Sequence, residues 1–239
     1  MNAPGESGDA LRIVTLNLQQ GGRPRIAKLA ARLLGYDAEV LVLTEFQQQK
    51  SAALVRNLEA AGYAVAHPVG VDPTLNTVAV ASRQPITGVR PFSPALDPRH
   101  LLCVETAGIR LCAAYLPVPT EMRVPHLEAL AADGRAGGIE LIVGDFNTGT
   151  NPAATTSTQF PRSDLLDDLA AEGYTDLGRA AHPQGREYSY YSRKDGLPCN
   201  GFRIEHAFAD PELMRGARRR RSDTGRAGCA DAAWWAGSG

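Results

Sequence analysis

Leu141-Ile142-Val143-Gly144-Asp145-Phe146-Asn147 is the stretch on which the reading of this chain turns. Its three leading residues form a short, continuous apolar run, the pattern of a strand buried on both faces. The run breaks at Gly144, and polar residues follow at 145 and 147. Period two places Asp145 and Asn147 on one face, with Phe146 turned into the core between them. Taken alone, Asp-Phe-Asn after a strand is also ordinary turn chemistry, because both polar residues accept local backbone hydrogen bonds. What separates the two readings is recurrence. Val40-Leu41-Val42-Leu43 runs into Thr44-Glu45, the strand over Leu11–Leu16 ends in Asn17, and a late strand carries Glu205. Open α/β sheets bind ligands beyond their strand ends. Carboxylates and amides converging there without cysteine suit a hard cation, Mg²⁺ or Mn²⁺, rather than zinc.

Outward from that stretch, strands and helices alternate. Ile26, Leu29, Ala30, Leu33 and Leu34 fall at helical spacing and stop at Gly35, and Leu54, Leu58 and Ala61 repeat the pattern before Gly62. Thr77–Ala81, Leu101–Thr106 and Ile109–Leu116 read as strands, the last two joined by an Ala107-Gly108 hairpin turn. A helix is expected around His126–Ala132, and another through Leu165, Leu166, Leu169 and Ala170. Tyr188–Ser192 and Phe202–Ala209 read as the closing strands. Runs buried on both faces, mixed with hairpins, predict an α/β domain of mixed sheets covered by helices.

Composition narrows the field. The 239 residues are 44% hydrophobic and 21% charged, which are globular values. Residues 1–10 read as a disordered polar leader, and residues 11–214 as one domain. Glu6 and Asp9 stand where a signal peptide needs Lys or Arg, and no run reaches the roughly 18 apolar residues of a membrane helix. The expectation is a cytoplasmic protein without membrane attachment. Four cysteines form no CxxC pair, and Cys103 and Cys112 read as buried free thiols. The formal net charge of −1 divides unevenly: residues 1–214 hold 19 Lys+Arg against 24 Asp+Glu, whereas residues 215–239 hold six Arg against two Asp. Residues 215–239 therefore read as an atypical basic tail, either a divergent terminus or the product of a frameshift after about Met214.

Six segments in order resemble the endonuclease/exonuclease/phosphatase superfamily. They are Leu16-Asn17-Leu18, Leu43-Thr44-Glu45, Asn76–Arg83, Ala114-Tyr115-Leu116-Pro117, Gly144-Asp145-Phe146-Asn147 and Gly201-Phe202-Arg203-Ile204-Glu205-His206. The resemblance implies a four-layer α/β/β/α sandwich of two mixed sheets flanked by helices, and Mg²⁺-dependent (or Mn²⁺-dependent) hydrolysis of a phosphoester. By matching position it implies that Glu45 holds the metal with Asn17 beside it and Asp223 as a further ligand. Asp145 would deprotonate the attacking water, with Asn147 and Tyr115 hydrogen-bonding the phosphate. Glu205 would complete the catalytic set, and Asn76, Arg203, Tyr190 and Tyr191 would contact substrate.

Two departures qualify what the resemblance implies. The family's late segment usually has Asp where Glu205 stands, and that Asp orients a histidine in a C-terminal Ser-Asp-His segment. Here the match is Ser222-Asp223-Thr224, and His206, adjacent to Glu205 in a strand, is expected on the opposite face. Glu187–Ser192 ahead of the Arg203-Ile204-Glu205 segment is similar to the exonuclease III and AP endonuclease branch. There the corresponding aromatics face DNA, and stacking on bases is the chemistry expected of Tyr190 and Tyr191; packing into the core is the alternative for strand tyrosines. The acidic body counts against DNA, whose phosphates call for aligned Lys and Arg. The expected function is a metal-dependent nuclease acting on DNA phosphodiesters. Two alternatives stand beside it: a phosphodiesterase or phosphatase for a small or lipid-linked phosphoester, and a member impaired by loss of the histidine.

Overall fold

A computed structural model describes residues 11–22, 24–151, 155, 159–185, 188–195 and 197–215. The leader, the arginine run and Ser222-Asp223-Thr224 lie outside the described residues. In chain order the elements are β1 (Ile13–Asn17), α1 (Ile26–Gly35), β2 (Val40–Phe46), α2 (Gln48–Ala60), β3 (Ala64–Ala66), β4 (Thr77–Ser82), β5 (Thr87–Pro91) and β6 (Leu101–Thr106). They continue with β7 (Ile109–Tyr115), α3 (Thr120–Asp133), β8 (Leu141–Asp145), α4 (Asp164–Ala171), β9 (Thr175–Asp176), α5 (Leu177–Ala181), β10 (Tyr190–Lys194), β11 (Leu197–Phe202) and β12 (Glu205–Ala209).

Alternation along the apolar strands builds the layers. Val40 and Val42 of β2 and Val78 and Val80 of β4 face Leu102, Val104, Leu111, Ala113, Leu141 and Val143 of the other sheet. These mostly β-branched side chains fill the gap between two pleated surfaces. The intervening residues turn outward: Leu41 and Leu43 pack against Leu29, Leu33, Leu54 and Leu58 of α1 and α2. On the far side Cys112, Ala114 and Ile142 meet Leu127, Leu130, Leu165 and Leu169 of α3 and α4. Each fully buried Leu or Val stabilises by roughly 1.5–3 kcal/mol, so both alternations of every central strand hold the sandwich together. The result is the expected four-layer α/β/β/α arrangement.

One sheet has the order β1-β2-β4-β3 and the other β5-β6-β7-β8-β12-β9. Both are mixed: β1/β2 and β7/β8 run parallel, and their other pairings are antiparallel. Consequently the C-terminal ends of β1, β2, β7 and β8 emerge at one edge, with the first residues of β4 and β12 among them. The Ala107-Gly108 hairpin forms as read, both residues having positive φ (50° and 73°) as a tight hairpin turn requires.

Several expectations are corrected. The helix expected around His126–Ala132 begins at Thr120, with Pro125 inside it. Phe202–Ala209 is not one strand: Phe202 ends β11, the chain breaks at Arg203-Ile204, and β12 joins the large sheet against β8. The strand expected at Tyr188–Ser192 is β10, and among the described residues it pairs with β11 alone, as a separate ribbon. Among the described residues no helix is long and apolar enough to cross a membrane.

Candidate active site

Asn17, Glu45 and Asp145 meet where the two sheets open. Asn17 is the last residue of β1, and its Nδ2 donates both to Glu45 Oε1 (2.9 Å) and to Asp145 Oδ2 (3.2 Å), joining one sheet to the other. The Asn17 Oδ1 accepts from the Gln19 backbone N–H at 2.8 Å, which fixes the orientation of the amide. Glu45 reaches this point through a β-bulge. The β2–β4 register shifts between Leu43 and Phe46, and Glu45 within it has φ 50°. A left-handed backbone at a non-glycine costs about 1–2 kcal/mol, and bulges re-aim side chains beside functional sites. Its second oxygen accepts from the Gln20 N–H at 2.9 Å.

Asp145 is delivered by Gly144. There φ is +146°, and a β-carbon would overlap the Ala114 carbonyl of the parallel neighbour β7. Asp145 itself ends β8 and is fully buried. Asn147 does not reach the same side by strand alternation. The chain turns there with φ 48°, the Asn147 N–H donates to Asp145 Oδ1 (2.9 Å), and its Nδ2 donates to the Leu116 carbonyl (2.8 Å). The turn chemistry and the site chemistry therefore share one set of residues. Phe146 is buried between them as expected.

Burial pushes the Asp145 carboxyl up to about 7; hydrogen bonds from Asn147 and Asn17 oppose the rise, and the charge of Glu45 adds to it. Glu205 lies directly across from Asp145 in the β8–β12 register. Burial, then the charge of Asp145, drives its carboxyl well upward, and its Oε2 is buried with no hydrogen-bond partner among the described residues. Tyr115 pairs with Asp145 on the other flank, in the β7–β8 register. Its phenol accepts from Asn76 Nδ2 at 3.4 Å, and Asn76 Oδ1 accepts from Gln47 Nε2 at 2.7 Å. Burial pushes the Tyr115 hydroxyl up to about 12, with the charges of Glu45 and Asp145 adding to the rise, so at neutral pH it remains a donor.

The remaining expected residues divide. Tyr190 and Tyr191 are exposed (43% and 44%) on the β10–β11 ribbon, which answers against core packing. Arg203 is buried and ion-paired through Nη2 to Asp176 Oδ1. Burial works to raise the Asp176 carboxyl, but His206 and Arg203 together hold it far below the usual carboxylate range. His206 is on the face opposite Glu205, as expected, between Asp176 Oδ2 (3.4 Å) and the Thr148 carbonyl (3.0 Å). Gln47 and Asp176 escape the sequence reading, as do the partners of His206. Only Gln47 carried a signal, standing two residues beyond Glu45 as Asn147 does beyond Asp145.

The donor set at the sheet edge is all oxygen and amide, which fits a hard divalent cation. Mg²⁺ takes one or two carboxylates and completes its shell with water and substrate phosphate. Among the described residues no three His, Cys, Asp or Glu side chains gather around one point, so Glu45 with Asn17 beside it is the available holder. Asp223 lies outside the described residues. A recess of about 770 Å³ at the opposite end, lined by Glu39, Glu105, Arg110 and Glu140, shares none of this set.

Sequence comparison decides the family, because the model of the Endonuclease/Exonuclease/phosphatase family matches residues 14–227. The chain belongs to that family. No curated protein sequence matches it. Among solved structures, an AP endonuclease from Archaeoglobus fulgidus superposes on this family member with a TM-score of 0.73 at 22% identity, covering 86% of this chain and 88% of the other. The 3′ phosphatase NExo from Neisseria, bound to a product DNA hairpin, gives 0.71 at 22% identity, covering 86% and 89%. The TDP2 protein of D. rerio, complexed with a single-strand DNA product, gives 0.57 at 15% identity over 84% of each chain. Family enzymes of this fold are phosphoesterases and nucleases, generally dependent on a divalent metal.

Proposed function

We propose that this family member is a divalent-metal-dependent nuclease that hydrolyses DNA phosphodiesters by attack of water. The observation that carries the reading is the junction of Asn17, Glu45 and Asp145 across the mouth of the two sheets. Glu45 would hold the cation, with Asn17 beside it orienting the carboxylate through Nδ2, and the cation when bound supplies Lewis-acid polarisation of a phosphate oxygen. Asp145 accepts the proton of the attacking water, and its burial works to raise the basicity of the carboxylate for that task. Tyr115, and Asn147 through its remaining amide hydrogen, donate to phosphate oxygens as negative charge builds. Asn76 positions the Tyr115 phenol through the bond from its amide. Burial beside Asp145 disfavours a charge on Glu205, which limits the negative charge where phosphate binds.

The exposed ribbon supports DNA over a small diester. Tyr190 and Tyr191 offer aromatic faces, and Arg193 and Lys194 follow them on the same exposed strand. Stacking contributes about 1–3 kcal/mol per base, so Tyr190→Ala with Tyr191→Ala is expected to raise KM for DNA about tenfold. The same change leaves hydrolysis of bis(p-nitrophenyl) phosphate, which has no bases to stack, unaltered; equal effects on both substrates would remove the ribbon from DNA binding.

A second reading, an impaired member, is favoured by the sequence: Thr224 stands where the family pattern has a histidine, and Glu205 where it has the Asp that orients that histidine. The deciding assay offers an abasic duplex, single-stranded DNA and bis(p-nitrophenyl) phosphate with Mg²⁺. Cleavage of DNA supports the nuclease, and turnover of the small diester alone supports a phosphodiesterase for small substrates. Absence of turnover on all three, at high protein concentration, supports the impaired member.

A further inference from the structure

His100 stands immediately before β6, where the β6–β7 ladder should still be running. Pairing starts at Thr106↔Ile109 beside the two-residue turn and proceeds through Leu101↔Ala114, so His100 and Tyr115 form the next pair. Counting from the turn, that pair is one of those that exchange two backbone hydrogen bonds. Only one is made: the Tyr115 N–H donates to the His100 carbonyl at 2.9 Å. The reciprocal donor is lost, because the His100 N–H turns back to the Asp97 carbonyl (3.3 Å). The Tyr115 carbonyl is nevertheless satisfied, by the Nδ1 of the His100 ring at 2.7 Å. A carbonyl only accepts, so Nδ1 carries the hydrogen.

We infer that His100 is a positioning residue whose imidazole replaces the missing backbone donor, clamps both sides of the Tyr115 peptide and so aims its phenol into the site. Its surroundings support a fixed ring. His100 is 5% exposed, and the His126 ring from α3 packs edge-on against it (centroids 5.0 Å apart, 85° between planes). His126 is itself anchored through Nδ1 to the Met122 carbonyl at 2.9 Å. Behind it, Arg99 grips Asp97 through Nε and Nη2, closing the turn from which His100 projects. The Arg99 carbonyl accepts from Thr77 Oγ1 (2.9 Å), next to the Asn76 that touches the Tyr115 hydroxyl. Segment 97–100 thus fixes the backbone of Tyr115 and the neighbour of its phenol together. Burial pushes the His100 ring below its ordinary value, in keeping with a neutral ring that needs a single donor.

This inference rests on the reading of Tyr115 as a phosphate donor for its catalytic part and on the geometry alone for its structural part, so its test has two readouts. The substitutions are His100→Asn, which keeps an amide N–H where Nδ1 stands, and His100→Gln and His100→Leu, which do not; thermal melts establish which variants fold. In protein with ¹³C-labelled tyrosine rings, with Tyr115→Phe identifying the signal, Gln and Leu shift the Tyr115 resonance and Asn leaves it in place. Where wild type turns over substrate in an Asp145-dependent way, Gln and Leu lower kcat about tenfold with little change in KM, and Asn restores most of it. In a Tyr115→Phe background the same changes cost less than about twofold, because the residue they misplace has lost its hydroxyl. A Tyr115 signal that ignores His100→Gln, equal behaviour of Asn and Gln, or an undiminished loss in the Tyr115→Phe background would each overturn the inference. A wild type without turnover overturns the nuclease reading and leaves the ring signal to decide the role of His100.

Discussion

Asp145→Asn is expected to lower kcat about a thousandfold while the protein becomes more stable at alkaline pH. Loss of a positioned general base costs about 10²–10⁴-fold, and a thousandfold loss is the middle of that range. Asparagine preserves the acceptor for the Asn147 N–H, so the turn is retained. The stability change follows from linkage. The folded carboxyl titrates near 7 and the unfolded one near 3.8, so the native state binds more protons between those values. In metal-free protein this group's contribution is fully present below the unfolded value and is lost as pH rises through about 7. Melting curves in chelator should therefore show the asparagine variant pulling ahead of wild type as pH rises from about 4 to about 8. A variant that keeps wild-type kcat would remove Asp145 from the chemistry, and a constant melting difference across pH would remove the burial penalty.

Gly144→Ala is expected to cost about 4 kcal/mol or more of stability. Two penalties combine there. The +146° φ is a conformation that side chains rarely adopt, and the added β-carbon meets backbone, the Ala114 carbonyl, which has no rotamer to yield. β7 and β8 must then separate in the middle of the sheet, beside the buried Ile142 and Val143. Urea denaturation measures this directly. A loss below about 1 kcal/mol would mean that the two strands are less closely fitted than described. Any variant that folds should also lose activity, since Asp145 is the next residue.

Much of this architecture is legible in the sequence because the central strands are apolar on both alternations. Val40–Leu43 and Leu141–Val143 could be packed only between a second sheet and a helix layer. The edge strands carried no such signal. Thr87–Pro91 is exposed at every residue, and Ala64–Ala66 is three residues long, so neither buries enough to leave a pattern. The break at Arg203-Ile204 was hidden because apolar alternation continues through it into β12. In the site, Asn17, Glu45 and Asp145 stand out as polar residues ending buried runs, and Glu205 as a carboxylate in a late strand. How they are aimed is not legible: the bulge at Glu45 is a left-handed conformation that Glu rarely adopts, and the left-handed turn at Asn147, which Asn tolerates, replaces the strand alternation. The ties from Asp176 to Arg203 and His206, and from His100 to Tyr115, join residues 15 to 30 positions apart and required the register of the strands.

The central claim is that the strand ends converge on a divalent cation held by Glu45, and uptake of Mn²⁺ tests it without any assumption about substrate. Free Mn²⁺ gives a sharp electron paramagnetic resonance spectrum that broadens away on binding, so a titration counts the bound ions. Wild type should take up Mn²⁺, with Mg²⁺ competing, and Glu45→Gln should bind it at least about tenfold more weakly while melting at a similar temperature. Equal uptake by wild type and a folded Glu45→Gln variant, or no uptake by wild type, would contradict the account.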